Sequence, residues 1–215
     1  MDFLDEIYDG VIDGKTDIVV SKIKEALESN IQPDIIMKEG LILGLDEVGR
    51  LYEEGSFFVP EMLIAARTTQ AALKYLRPYL VKQGVKPVGK IAIGTVQGDL
   101  HDIGKSIVAM MFESSGFEIV DLGTDVQPEK FISAINDGSQ IIALSALLTT
   151  TMTNIKTTIE SIEKAKLRDR VIIMVGGAPV TEEFSAEVGA DGFAQDAPSA
   201  VRKARELMGA KNIST

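Results

Sequence analysis

The sequence predicts an α/β chain in two parts: an N-terminal four-helix bundle, then a five-stranded parallel sheet wound on both faces. Three observations predict it. Residues 1–84 place apolar side chains at helical spacing. From residue 90 onward, short apolar runs alternate with helical patterns, the order of successive βα units. Between the two, Gln83-Gly84-Val85-Lys86-Pro87-Val88-Gly89 fits neither period and reads as a linker centred on 85–89.

The elements follow in order. Phe3, Leu4, Ile7 and Val11 mark the first helix. Ile18, Val19, Ile23, Ala26 and Leu27 mark a second, ending near Asn30. Pro33-Asp34 opens a third, with Leu41, Leu45, Val48 and Leu51 on one face. Pro60 suits the first turn of a fourth, which continues through Leu63, Ala66, Leu73 and Leu76. Short joints between four helices suggest an antiparallel bundle. Beyond the linker, strands are expected at 90–96, 118–122, 140–145, 171–175 and 191–194. Helices are expected at 103–115, 128–137, 152–166, 181–187 and 198–208. Five βα units imply a doubly wound sheet of the Rossmann or flavodoxin-like kind. The expected domains are therefore 1–84 and 90–215.

Composition excludes several classes of function. The chain has 215 residues, 45% of them apolar, so a substantial core is available. Its formal charge of −10 argues against nucleic acid as a partner, because phosphate binding needs a basic surface. No secretory signal opens the chain and no apolar run approaches the length of a membrane span. Zero cysteines fit a reducing, cytoplasmic compartment.

The chemistry points to one loop. The only histidine lies in Gly98-Asp99-Leu100-His101-Asp102-Ile103-Gly104, directly after the apolar run Ile91–Val96. Open α/β sheets bind ligands at the carboxyl ends of their strands. One histidine and no cysteine exclude a zinc site built from thiolates and imidazoles. A single imidazole is enough for a cofactor that brings most of its own metal ligands. His101 needs a partner on its other ring nitrogen, and a carboxylate serves well. Asp99 also reads as a turn or capping residue, with Asp102 the better-placed cap for the next helix. Gly104-Lys105-Ser106 ends like a phosphate loop, but Gly98 is one residue too far upstream and two aspartates intervene.

Asp99-x-His101-x-x-Gly104 resembles the signature of cobalamin-binding domains of the methionine synthase type. Ser145-Ala146-Leu147 resembles that family's Ser-x-Leu, and Gly176-Gly177 resembles its glycine pair. Each follows an expected strand, in the family's order and at similar spacing. The resemblance implies that His101 ligates cobalt and that Asp99 holds its other nitrogen. The family's relay continues to a serine six residues beyond the first serine, a place taken here by Thr151. A threonine keeps the hydroxyl and adds a methyl group. His101, Asp99 and Thr151 are thus the implied reactive set, with His101 the metal ligand.

The implied cofactor bed comprises Gly98, Asp99, His101, Asp102, Ile103 and Gly104 from the first loop, and Ser145, Leu147 and Thr149 from the second. Gly176 and Gly177 join it, as do Ala194 and Asp196 in Ala194-Gln195-Asp196-Ala197, which resembles the family's last loop. Taken on their own, Gly176-Gly177 also read as a tight turn, Ser145 as a strand end and Leu147 as core. In the helical half, Leu51 to Met62 resembles the turn of the family's helical cap, where an aromatic residue covers the corrin. Phe58 takes that place, although it also reads as bundle core.

The resemblance spans nearly the whole chain and is greatest to corrinoid proteins of methylamine systems, the monomethylamine kind in particular. It implies a carrier that takes a methyl group on cobalt(I) from a methylamine methyltransferase. The carrier would pass it from methyl-cobalt(III) to a coenzyme M methyltransferase. A reductive reactivation protein is a further implied partner. Alternatives are a carrier for methanol or O-demethylation systems, a cobalamin-responsive regulator, or the cobalamin subunit of a radical mutase. A regulator needs a DNA-binding module for which the chain has no spare segment.

Overall fold

A computed structural model describes residues 2–212, so the last three residues of the expected 90–215 domain lie outside it. The chain divides into two compact units. One runs through Pro87 and includes Glu113–Gly116; the other comprises Val88–Phe112 and the chain from Phe117 on.

The first unit is helical. Its elements are α1 (Phe3–Ile12), α2 (Thr16–Glu28), α3 (Pro33–Ile35), α4 (Leu43–Glu53) and α5 (Val59–Lys82). A π-helical segment, Ile36–Ile42, joins α3 to α4, so the expected third helix is continuous but wider in its middle. Buried Ile36 and Leu41 lie five residues apart, the spacing of an i→i+5 helix. A Cβ on Gly40 would meet Ile7 Cγ2 at 2.7 Å, and one on Gly44 would meet the Tyr8 carbonyl at 3.0 Å. The glycines let α1 lie against this segment. Ile7, Val11, Val19, Ile23, Leu45, Met62 and Leu76 fill the core around them. Ile18 faces solvent instead, because the buried stripe of α2 runs through Val19, Ile23 and Ala26, one position round the helix. Leu63 and Leu73 are half-buried beside the deeper Met62, Ala65, Ala66 and Ala72.

The second unit is the expected α/β layer. Its strands are β1 (Lys90–Thr95), β2 (Glu118–Asp121), β3 (Ile141–Ser145), β4 (Ile172–Gly176) and β5 (Gly192–Phe193). Every pairing is parallel and the order is β2-β1-β3-β4-β5. Helices α6 (Ile103–Ser114), α7 (Pro128–Asn136), α8 (Met152–Lys164), α9 (Glu182–Glu187) and α10 (Ala197–Asn212) follow the strands in turn. The central strands are buried on both faces, which explains their unbroken apolar runs. One face packs Ala92, Ile142, Leu144, Ile173 and Val175 with Phe131, Ile155 and Ile159. Phe131 Cζ lies 2.9 Å from where a Gly94 Cβ would stand, so the ring fills the space that glycine leaves. Phe131→Ala is expected to cost about 3–5 kcal/mol, read as a lowered urea midpoint at unchanged slope.

This strand order reverses direction between β1 and β3. Loops leaving adjacent strands at such a point diverge and open a crevice at their carboxyl ends.

Candidate cofactor site

The crevice between β1 and β3 contains the histidine loop. Thr95 and Ser145, the last residues of the two strands, are register partners. Val96 N donates to the Ser145 carbonyl at 3.0 Å, so the two chains leave the sheet together. Beyond them, Asp99 is fully buried while His101 is half exposed.

Asp99 organises the site. Its Oδ1 accepts from the His101 backbone N at 3.1 Å and stands 2.7 Å from His101 Nδ1. Its Oδ2 accepts from Thr151 Oγ1 at 2.6 Å and from the backbone N–H groups of Leu147 at 2.8 Å and Leu148 at 3.4 Å. Burial alone would raise this carboxyl's pKa. The bonds from Thr151, Leu147 and His101 outweigh burial and hold it well below the ordinary carboxylate range. Asp99 is therefore ionised and can only accept. Against this acceptor His101 Nδ1 is the donor, which leaves Nε2 as the ring nitrogen turned to a ligand. Thr95 Oγ1 donates to the His101 carbonyl at 2.8 Å, which anchors the residue from the sheet. The Thr151 hydroxyl also lies 2.9 Å from the Leu148 carbonyl, but the charged, closer Asp99 oxygen is the stronger acceptor.

Thr151→Val is expected to destabilise the protein by about 1–3 kcal/mol at pH 7, while Thr151→Ser keeps most of the bond. The sign with pH follows from the direction of the shift. A carboxyl held low in the folded chain contributes stability above its unfolded value, about 3.9, and loses it as pH falls through the folded value. Urea melts should show a constant gap between wild type and Thr151→Val from pH 7 to pH 5, closing only in stronger acid.

Beside His101 and the exposed Asp102, apolar side chains face solvent. Leu100 and Ile103 are 74% and 77% exposed, and Leu147 and Leu148 are also exposed. Leu147 is thus not a core residue. Gly104, in the first turn of α6, has nothing within 4 Å of a would-be Cβ. An exposed imidazole rimmed by aliphatic side chains and an open glycine fits a large, flat, partly apolar metal-carrying cofactor. Asp102 accepts from Ser106 N through its backbone carbonyl at 2.8 Å, as a residue at a helix start does. Thr149 is exposed in the turn before α8.

Ser145, Gly176, Gly177, Ala194 and Asp196 lie at or just beyond the carboxyl ends of β3, β4 and β5. Ser145 pairs with Gly176 across β3 and β4. A Cβ on Gly177 would stand 1.9 Å from the Ala146 carbonyl oxygen, and its φ is 127°. Close approach between two backbones therefore requires this glycine, whatever else it serves. Ala194 N bonds the Val175 carbonyl at 3.4 Å. Asp196 caps α10: its Oδ1 accepts from Ser199 N at 2.8 Å while Ser199 Oγ accepts from Asp196 N at 3.3 Å. Phe58 belongs to the helical unit, where it precedes α5 and is 65% exposed. It is not bundle core. Its backbone N donates to Glu61 Oε2 at 3.0 Å, which fixes the start of α5. Lys105, whose motif resembled a phosphate loop, is buried and bound by both oxygens of Asp121 at 2.6 Å.

Residues 89–204 match the family model described as the B12 binding domain, and residues 3–77 match a second model of the same description. The chain belongs to the B12-binding family. Its cofactor is cobalamin or a related corrinoid. This B12-binding chain is 38% identical to a corrinoid protein of Desulfitobacterium hafniense, over 97% of its own length and 99% of that protein's. It is 40% identical to a dimethylamine corrinoid protein of Methanosarcina barkeri, over 96% and 98% respectively. Among solved structures it resembles the methanol:cobalamin methyltransferase complex of Methanosarcina barkeri, with a TM-score of 0.82, 26% identity and coverage of 96% and 80%. It also resembles the monomethylamine corrinoid protein of that organism, with a TM-score of 0.53, 33% identity and coverage of 95% and 98%. Among the described residues, no helix of this B12-binding chain is long and apolar enough to cross a membrane.

Sequence reasoning did not single out Thr95, Asp125, Asn154 or the Leu148 N–H. Apart from Thr95, whose partner His101 is six residues on, their partners are distant in sequence, and none belongs to a motif that names its target. The left-handed backbone of Asp125, φ 53°, has only a weak signal in Gly123-Thr124-Asp125.

Proposed function

We propose that this chain is the corrinoid methyl carrier of a methylamine methyltransferase system. The observation that carries the reading is His101: an exposed imidazole whose Nδ1 is held by a buried, ionised carboxylate, set at the crevice between β1 and β3. Bound corrinoid supplies a cobalt centre able to accept a methyl group from one partner and release it to another. His101 Nε2 would be the protein nitrogen that holds that centre. Asp99 fixes the tautomer that exposes Nε2 and raises its basicity. Thr151 and the Leu147 amide hold Asp99 in place and ionised. By accepting from Nδ1, Asp99 would govern how strongly His101 donates through Nε2 to the cobalt.

Leu100, Ile103, Leu147 and Leu148 form the apolar bed. Gly98, Gly104, Thr149, Ser145, Gly176, Gly177, Ala194 and Asp196 would border the space for the cofactor. Phe58 offers an exposed aromatic face from the helical unit. The chain acts through partners: a methylamine methyltransferase that loads it and a coenzyme M methyltransferase that unloads it. A reductive protein restores it after oxidation. The cytoplasm, where reductants are available, suits this chemistry.

Anaerobic reconstitution tests the reading. The chain, loaded with hydroxocobalamin and reduced, is mixed with methylamine methyltransferases for mono-, di- and trimethylamine, a coenzyme M methyltransferase and the free thiol. Thiol methylation dependent on one amine supports it. Retention of cobalamin with no methylation from any amine, but methylation from methanol or an aryl methyl ether, moves the chain to another donor system. Selective retention of adenosylcobalamin points to mutase chemistry instead.

A further inference from the structure

The loop bearing Asp99 and His101 starts from a peptide held on both sides. The Gln97 carbonyl accepts from Asn154 Nδ2 at 2.7 Å, and the Gly98 N–H donates to Asp125 Oδ1 at 2.7 Å. These are the two polar groups of one planar unit. The two side chains come from different elements. Asp125 lies between β2 and α7, and Asn154 lies in the first turn of α8. A planar peptide can turn as a rigid plate about the line between its Cα atoms. Bonds to both of its polar groups remove that freedom. At Gly98 the chain then bends sharply, with φ 79°, so the angle of the plate sets the direction of the residues that follow.

Asp125 reaches further along the loop. Its backbone N donates to the Asp99 carbonyl at 2.9 Å, so one residue grips both the start of Gly98 and the end of Asp99. Asn154 is tied to the other side of the site, since its backbone N donates to the Thr151 carbonyl at 2.9 Å. Asp125 is exposed and Asn154 half-buried, so neither fills the core. Asp125 also holds a left-handed backbone, φ 53°, which is costly for most side chains and tolerated by aspartate and asparagine.

We propose that Asp125 and Asn154 are positioning residues that clamp the Gln97–Gly98 peptide and thereby aim Asp99, and through it the His101 ring, at the bound metal. The proposal rests on the reading of His101 as the ligand. The clamp makes the loop's orientation a property of three elements rather than of the loop alone. It preforms the site before cofactor arrives.

The test uses Asp125→Ala, Asp125→Asn and Asn154→Ala, with thermal melts as the control for folding. Two quantities are read. The first is hydrogen exchange of the Gly98 amide in the cofactor-free chain. The second is hydroxocobalamin affinity, with the fraction of cobalt bearing imidazole taken from the visible spectrum. Asp125→Ala is expected to speed Gly98 exchange. It should weaken imidazole-coordinated binding by about 10–100-fold, the usual effect of losing a supporting contact behind a metal ligand. Asp125→Asn keeps an acceptor and the left-handed backbone, and should recover binding to within about threefold of wild type. Asn154→Ala should weaken coordination with Gly98 exchange less affected.

Wild-type affinity and imidazole fraction in both alanine variants would overturn the clamp while leaving His101 as the ligand. Equal losses in Asp125→Ala and Asp125→Asn would also overturn it. An absent imidazole signature in the wild type would overturn the reading of His101, and the clamp's purpose with it.

Discussion

His101→Ala is expected to abolish the imidazole signature of bound hydroxocobalamin and to lower its affinity by at least about tenfold. Losing a supporting contact behind a metal-bound histidine already costs about 10–100-fold, and this change removes the donor itself. The chain has no second histidine and no cysteine to take over. The ring is half exposed, so its loss should leave the fold intact. Asp99 loses one of its five donors and keeps Thr151, the His101 backbone N, Leu147 and Leu148. The predicted picture is a folded, stable chain that binds cobalamin weakly and without protein nitrogen on the metal. Visible spectra and equilibrium dialysis of wild type and variant check both halves. Unchanged spectra would remove His101 from the metal and leave the apolar rim as the only reason for binding.

Gly177→Ala should fail in the opposite way, through folding rather than binding. Its Cβ would stand 1.9 Å from the Ala146 oxygen and 2.8 Å from the Ala146 carbonyl carbon, which are main-chain atoms leaving β3. No side-chain rotation can relieve that clash. The position also has φ 127°, a conformation that L residues rarely adopt. Backbone strain of about 1–3 kcal/mol adds to an overpacking cost of similar size. Together these are a large part of the about 5–15 kcal/mol that holds a typical domain folded. Gly104→Ala is the informative contrast. That glycine is in a helix with open space around it, so alanine should stabilise the cofactor-free chain by about 0.5–1 kcal/mol. If the open space receives the cofactor, the same variant binds cobalamin less well. Chemical denaturation of the apo chains, paired with cobalamin titration, separates the two glycines: one needed by the backbone, the other by the ligand.

The sequence by itself determined the order of elements. Short apolar runs such as Ile91–Val96, alternating with helical patterns, read as strands buried on both faces. Prolines 33, 60 and 128 stand in first turns because a helix start has no use for their missing N–H. The site's chemistry came instead through resemblance: Asp99-x-His101-x-x-Gly104, Ser145-Ala146-Leu147 and Gly176-Gly177 stand in the order of the cobalamin-binding family, which composition alone would not have named. The π segment at Ile36–Ile42 is not legible in the sequence, because one residue of extra spacing blends into ordinary helical periodicity.

What only the tertiary structure decided concerns pairs of residues far apart in the chain. Asp99 and Thr151 lie 52 positions apart and meet at 2.6 Å because β1 and β3 are neighbours in the sheet. Strand order is not written in local periodicity: Thr151 was reached only through the spacing of the family the chain resembles, and nothing in the sequence pointed to the grip of Asp125 on Gly98. The same holds for exposure. Leu147 and Phe58 are hydrophobic residues that sequence patterning would equally place in a core, and only the packed fold leaves them facing outward. Local sequence selects each element through short-range sterics and hydrogen bonding. The site is assembled by long-range packing, which fixes where the ends of those elements converge.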